Sequence, residues 1–168
     1  MNTQISRYWL PVFVWMFFIF WMSTGTFSSE HTSTIIIPMI KLIVRGISDE
    51  KANFIHGFIR KSGHIAEYFI LGGLVLRAFC SGTISTLTRK QIFYSLSIVA
   101  LYASSDEYHQ SFVATRTASI VDVGIDTIGG VFAISVAALW RLAALCRKQK
   151  RQSNQALPSR KRSPYFKP

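Results

Sequence analysis

The sequence predicts an all-α, polytopic membrane protein with four transmembrane helices and one or two interfacial helices in the first external loop. Three observations predict it. Apolar residues make up 49% of the 168 and are gathered in blocks. Four of these blocks reach or approach the roughly 20 residues that cross a bilayer as a helix. The mean hydropathy of +0.27 is high for a soluble domain. The length leaves room for one domain at most.

The first block runs from Tyr8 to about Thr26 and is packed with Trp, Phe and Met. It has a basic start at Arg7, as a secretory signal would. Its length, its aromatic content and the lack of a small-x-small cleavage site make it a retained helix. The second block, Ile65–Cys80, is interrupted by Glu67 and Arg77. The third, Ile92–Ser105, is short by itself and lengthens if Asp106 to Gln110 continue the helix. The fourth, Ala118–Leu145, is interrupted by Asp122 and Asp126.

Between the first two blocks lies a long loop. It opens with a Ser/Thr-rich stretch suited to turns and helix caps. The run Ile35–Ile47 contains Pro38, Lys41 and Arg45, too short and too charged to span, and reads as an interfacial helix. Phe54, Ile55, Phe58 and Ile59 recur at helical spacing and predict a second amphipathic helix. Gly63 is expected to mark a bend before the second span.

The net charge is +11, and nine of the nineteen Lys/Arg lie from Arg141 onward with no acid among them. A basic run behind a membrane helix fixes topology and touches anionic lipid. Nucleic acid is not an expected partner. Residues 1–147 are therefore expected to form the membrane domain, and 148–168 a basic, disordered cytoplasmic tail. With four spans, thirteen basic residues fall on the side of the termini and six on the other. That excess places both termini in the cytoplasm. Cys80 and Cys146 are then reduced thiols.

Ionised groups in hydrocarbon are costly, so they face protein or water and mark function by default. Six interrupt or edge these apolar stretches. His64 and Glu67 are three apart in the first turns of span two. Asp106 and His109 are three apart, and Asp106 and Gln110 four apart, at the end of span three. Asp122 and Asp126 are four apart at the start of span four. Each pair shares a helix face. The four-span topology brings all three faces to the external level.

Such a set suits several chemistries. A His–carboxylate pair can act as a general base and its orienter. Imidazoles and carboxylates can hold a divalent metal, although no spacing here specifies one. Lys61, Arg116 and a helix N-terminus can receive an anionic group, with Gln110 assisting. The catalytic candidates are His64, Glu67, Asp106, His109, Asp122 and Asp126. The substrate-binding candidates are Lys61, Gln110 and Arg116. The structural alternative stays open: His64–Glu67 as a polar pair closing a helix end, and Asp122 and Asp126 paired with Arg116 or Lys61 as glue between helices.

At these residues the chain resembles the VanZ-like family of bacterial membrane proteins. The resemblance rests on Lys61-Ser-Gly-His64-Ile-Ala-Glu67-Tyr68, on Ser105-Asp106-Glu107-Tyr108-His109-Gln110, on Arg116, and on Asp122-Val-Gly-Ile-Asp126-Thr-Ile-Gly129. It covers about Tyr8 to Leu145. Where the family often has a Pro-Gly or similar pair before the Arg, this chain has Val113-Ala114-Thr115. The resemblance implies an integral membrane protein, and the family's namesake is associated with resistance to the glycopeptide teicoplanin. It implies no particular reaction. The leading expectation is a cell-envelope protein whose external site binds or modifies a lipid-linked or anionic cell-surface substrate. A small transporter and a non-catalytic scaffold are the alternatives.

Overall fold

The structure, a computed structural model, describes residues 3–24, 28–82, 87–114 and 118–156. Among these residues there are five helices and no strand: α1 (Thr3–Met22), α2 (Ser29–Ile43), α3 (Asp49–Phe79), α4 (Arg89–Gln110) and α5 (Ile120–Ala156).

Local signals account for several helix limits. Asp49 and Glu50 occupy the first turn of α3, where negative charge suits the helix dipole. Thr88 caps α4: its hydroxyl accepts from the Gln91 amide, and the Gln91 side chain returns to the Thr88 amide. This reciprocal pair satisfies two donors that the first turn leaves open. Gln91 also donates to the Phe79 carbonyl at 2.9 Å, which ties the start of α4 to the end of α3. Between them, Gly82 has φ +78°, and a Cβ there would strike the Tyr8 ring of α1.

The external loop departs from the sequence expectation. Of the Ser/Thr-rich stretch, Ser23 and Thr24 turn away from α1 and Ser28 is the N-cap of α2, in line with the expected turns and caps, but Ser29–Thr34 already form the first turns of α2; residues 25–27 lie outside the described residues. Thr32, Ser33 and Thr34 each return their hydroxyl to a carbonyl in the preceding turn, so these side chains are satisfied within a helix. Gly63 makes no bend either: α3 is continuous from Asp49 to Phe79 and absorbs both the amphipathic segment and the second apolar block. One glycine costs a helix only about 1 kcal/mol, too little to break one that packs along its length. At the other end, α5 continues past Lys148, where the tail was expected to begin, to Ala156.

Val12 and Ile19 of α1, Leu71 and Val75 of α3, and Val99 and Ala103 of α4 form the main buried cluster. Leu76, Cys80, Leu87 and Ile134 form a second cluster toward the opposite end from Asp106 and Asp126. Helices α3 and α5 meet backbone to backbone. A Cβ on Gly72 would lie 2.8 Å from the Gly130 Cα, and one on Gly130 would lie 2.6 Å from a methyl of Val99 on α4. Small residues of this kind let membrane helices approach closely.

Of the described helices, only α5 is long and apolar enough to cross a membrane, over Ile120–Gln152. The apolar part of α1, Ser6–Met22, is shorter. Glu67 and Arg77 interrupt the apolar run of α3, and in α4 the run is short, dotted with Ser and Tyr and bounded by Arg89, Lys90, Asp106 and Glu107, so hydropathy does not single these helices out. Yet large apolar side chains face outward on every element. They include Phe13 and Phe17 of α1, Phe93 and Leu101 of α4, and Phe132 and Leu139 of α5. Soluble monomers rarely expose such extensive apolar surface.

Candidate functional site

The close approach of α3 and α5 decides which polar groups meet. Gly129 lies against the Ile65 carbonyl. One residue before Ile65 is His64, and one turn before Gly129 is Asp126. The two side chains face each other with the His64 Nδ1 3.6 Å from an Asp126 oxygen. That is charge-contact range rather than a hydrogen bond. Asp126 is fully buried, and neither carboxylate oxygen accepts a hydrogen bond among the described residues. A buried polar group normally has a partner, so an unserved one calls for explanation.

Asp126 lines a cavity of about 330 Å³, at the small end of ligand pockets, which run from ~300 Å³ upward. One wall is α3, with Gly57, Arg60, Lys61 and His64. The opposite wall is Glu107 and Gln110 of α4 with Asp122, Ile125 and Asp126 of α5. Ser29, at the N-terminus of α2, completes the lining. Lys61 and Asp122 reach across at 3.7 Å. A smaller cavity of about 140 Å³ adjoins, lined by Ser23, Thr32, Arg60, His64 and Glu67 among others. Arg60 and His64 belong to both.

Asp106 has a different environment. One of its oxygens accepts from Ser23, just past the end of α1, at 2.8 Å, from Gln110 of α4 at 3.1 Å and from the Tyr68 hydroxyl of α3 at 3.4 Å. Through that one oxygen it ties α1, α3 and α4 together. The Trp15 indole, donating to the Glu67 carbonyl, adds another tie between α1 and α3.

Among the residues singled out from the sequence, Lys61, His64, Gln110, Asp122 and Asp126 share the larger cavity, and Glu67 lines the smaller one. Asp106 sits behind them, bonded to Gln110. His109 does not join: its ring stacks on Phe20 of α1, with centroids 4.4 Å apart. A helix turns about 100° per residue, so His109 and Gln110 point to opposite sides of Asp106. Arg116 lies outside the described residues.

Two lining residues were not singled out. Glu107 is buried and accepts from the Ser119 amide at 2.9 Å, holding the chain just before α5. Arg60 stands four residues before His64, a spacing that puts both on one helix face, so its position was readable. Among the described residues no three His, Cys, Asp or Glu side chains stand in a metal-holding group.

What fold and site define together is an all-helical protein with a carboxylate–imidazole cavity at one end of its bundle. The VanZ/LLP1 family matches residues 8–141, and the chain belongs to that family. No curated protein and no solved structure matches it.

Proposed function

We propose that this is a cell-envelope membrane protein whose cavity opens at the external leaflet and receives a lipid-linked or anionic cell-surface substrate. In this reading α1, α3, α4 and α5 cross the bacterial cytoplasmic membrane. Both termini are cytoplasmic, and the basic tail meets anionic lipid. Helix α2 and the first half of α3 lie at the outer surface. The outward-facing Phe, Leu and Trp side chains support the embedding. The clustering of carboxylates at one end of the bundle, with Arg77, Arg89 and Arg141 toward the other, supports the orientation.

The observation that carries the site is Asp126: fully buried, without a hydrogen-bond donor among the described residues, and facing His64 inside a cavity edged by Arg60 and Lys61. Asp106, by contrast, has one oxygen served by three donors, whereas both oxygens of Asp126 are open among the described residues. Asp126 and His64 are assigned as orienter and base or ligand, Asp122 and Glu67 as supporting carboxylates, and Lys61, Gln110 and Arg116 as substrate contacts. Through the family, the protein is expected to influence tolerance to teicoplanin.

Susceptibility of cells expressing His64→Ala and Asp126→Asn at verified membrane levels tests this. Loss of the tolerance or envelope phenotype in both is expected; full retention in both sinks the site. A scaffold role is favoured by the Asp106 network and the Lys61–Asp122 pair. In that case, replacing His64 and Asp126 together by leucines leaves the phenotype intact. A through-pathway finds less support, because Leu76, Leu87 and Ile134 pack the opposite end.

A further inference from the structure

The larger cavity has two electrical sides. Its α3 wall carries Arg60 and Lys61, and its α4–α5 wall carries Glu107, Asp122 and Asp126. Some of these charges are already matched. Lys61 faces Asp122 at 3.7 Å, and Glu107 accepts from the Ser119 amide. Two groups of opposite sign keep bonding capacity, although Asp126 also faces His64 at 3.6 Å. Arg60 makes no hydrogen bond or ion pair among the described residues, and Asp126 holds two oxygens without a donor. A purely anionic ligand would satisfy Arg60 and leave Asp126 unserved. A purely cationic one would do the reverse. Leaving the buried carboxylate without a donor is costly, and Arg60, partly exposed at the cavity edge, is the cation still open to an anion.

We propose that the cavity takes a zwitterionic headgroup in which a phosphate is joined to a primary amine, of the phosphoethanolamine type. The proposal rests on the reading above, that this cavity is a ligand site at the lipid surface. The phosphate sits with Arg60 at the N-terminus of α2, where Ser29 contributes to the lining and the first-turn amides favour an anion. The ammonium reaches Asp126, and its three N–H donors suit a carboxylate that accepts no hydrogen bond among the described residues. A choline headgroup has the charge but no N–H to give, and a glycerol headgroup has neither. Exposed apolar residues flank the charged ones along both walls. Phe58 and Ile59 precede Arg60 on α3, and Val121 and Ile128 flank the acids of α5. They offer acyl chains a surface beside the headgroup.

The test is binding of short-chain phosphatidylethanolamine, phosphatidylcholine and phosphatidylglycerol to the full-length protein in detergent, with soluble glycerophosphoethanolamine alongside. Phosphatidylethanolamine is expected to bind at least tenfold tighter than the other two lipids. Asp126→Asn should erase that preference. Arg60→Gln, at a partly exposed position that leaves the fold intact, should weaken ethanolamine and glycerol lipids alike about tenfold. Glycerophosphoethanolamine binding as tightly as the lipid upholds the headgroup chemistry and assigns a soluble source. Phosphatidylglycerol binding as well as phosphatidylethanolamine overturns the amine assignment and leaves the anionic-lipid reading standing. Unchanged phosphatidylethanolamine binding in Arg60→Gln overturns the phosphate assignment. If no phospholipid binds while Asp126→Asn still abolishes the cellular phenotype, the headgroup proposal falls and the site remains.

Discussion

Gly129 of α5 lies so close to Ile65 of α3 that a Cβ on the glycine would sit 2.5 Å from the Ile65 carbonyl oxygen. That backbone contact sets the separation at which His64 and Asp126 face each other. Gly129→Ala must push the helices apart, because the obstacle is backbone and cannot rotate away. Overpacking costs about 1–3 kcal/mol, and the upper end is expected here, read from thermal unfolding in detergent. Gly63→Ala is the control: nothing lies within 4 Å of its Cβ position, so a gain of about 0.5–1 kcal/mol is expected. Equal effects from the two substitutions would contradict the close contact.

Asp106 is expected to matter for folding more than for the ligand. Asp106→Ala leaves the hydroxyls of Ser23 and Tyr68 and the amide of Gln110 without their shared acceptor. Stranding such buried groups costs on the order of 3 kcal/mol. A drop in unfolding temperature with ligand affinity kept in the surviving folded fraction is the expected pattern. Asp126→Ala should show the opposite, lost binding with little lost stability.

His56 lies on the part of α3 before the proposed span, buried beside α2, with Nε2 3.1 Å from the Thr32 hydroxyl. Since that hydroxyl donates to the Ser28 carbonyl at 2.9 Å, the imidazole N–H donates to Thr32. Burial, then the nearby Arg60 charge, lowers the His56 pKa below its ordinary value. The folded state therefore favours the neutral ring, while the unfolded chain takes up its proton near the usual ~6.5. This contribution to stability is complete above that value and is lost as pH falls below it toward the lowered folded pKa. Unfolding curves at pH 7.5 and 5.0 should diverge in the native protein. The divergence should shrink in His56→Gln.

Thr88→Ala removes the acceptor that caps α4 and should cost about 1 kcal/mol. Gln91→Ala should cost more, since Gln91 also bonds the Phe79 carbonyl across the α3–α4 connection. Hydrogen exchange at the first turn of α4 distinguishes a local fraying from a global loss.

Cys146 is exposed and Cys80 buried, so the native chain carries its own topology probe. An impermeant maleimide is expected to label Cys146 only from the cytoplasmic face. A cysteine placed at Ser111, at the exposed end of α4, should react only from outside. Labelling of both from the same side would refute the proposed membrane arrangement.

The helices themselves were largely legible in advance, because apolar periodicity and length are local properties of a chain. The greater part of each apolar block lies in α1, α3, α4 or α5, the first block having been drawn past the end of α1 at Met22, and α2 overlaps the expected interfacial segment. The errors were at junctions. Ser/Thr residues and a lone glycine look like breaks when read one at a time. They do not break a helix whose hydroxyls bond back to the preceding turn or whose neighbours are packed.

For the polar set, spacing placed residues on helix faces but not the faces against one another. The rule of three or four residues grouped Asp106 with both His109 and Gln110. Only the packing of α4 between α1 and α5 turned His109 toward Phe20 and Glu107 into the cavity. The sequence by itself determined an all-helical chain with carboxylates and imidazoles near the ends of its apolar runs. The tertiary structure decided that one oxygen of Asp106 takes three donors while the buried Asp126, at the cavity wall, accepts none among the described residues. The reason is physical: a side chain's partners lie on other helices, and where those helices touch depends on glycines such as Gly129 that carry no polar signal of their own.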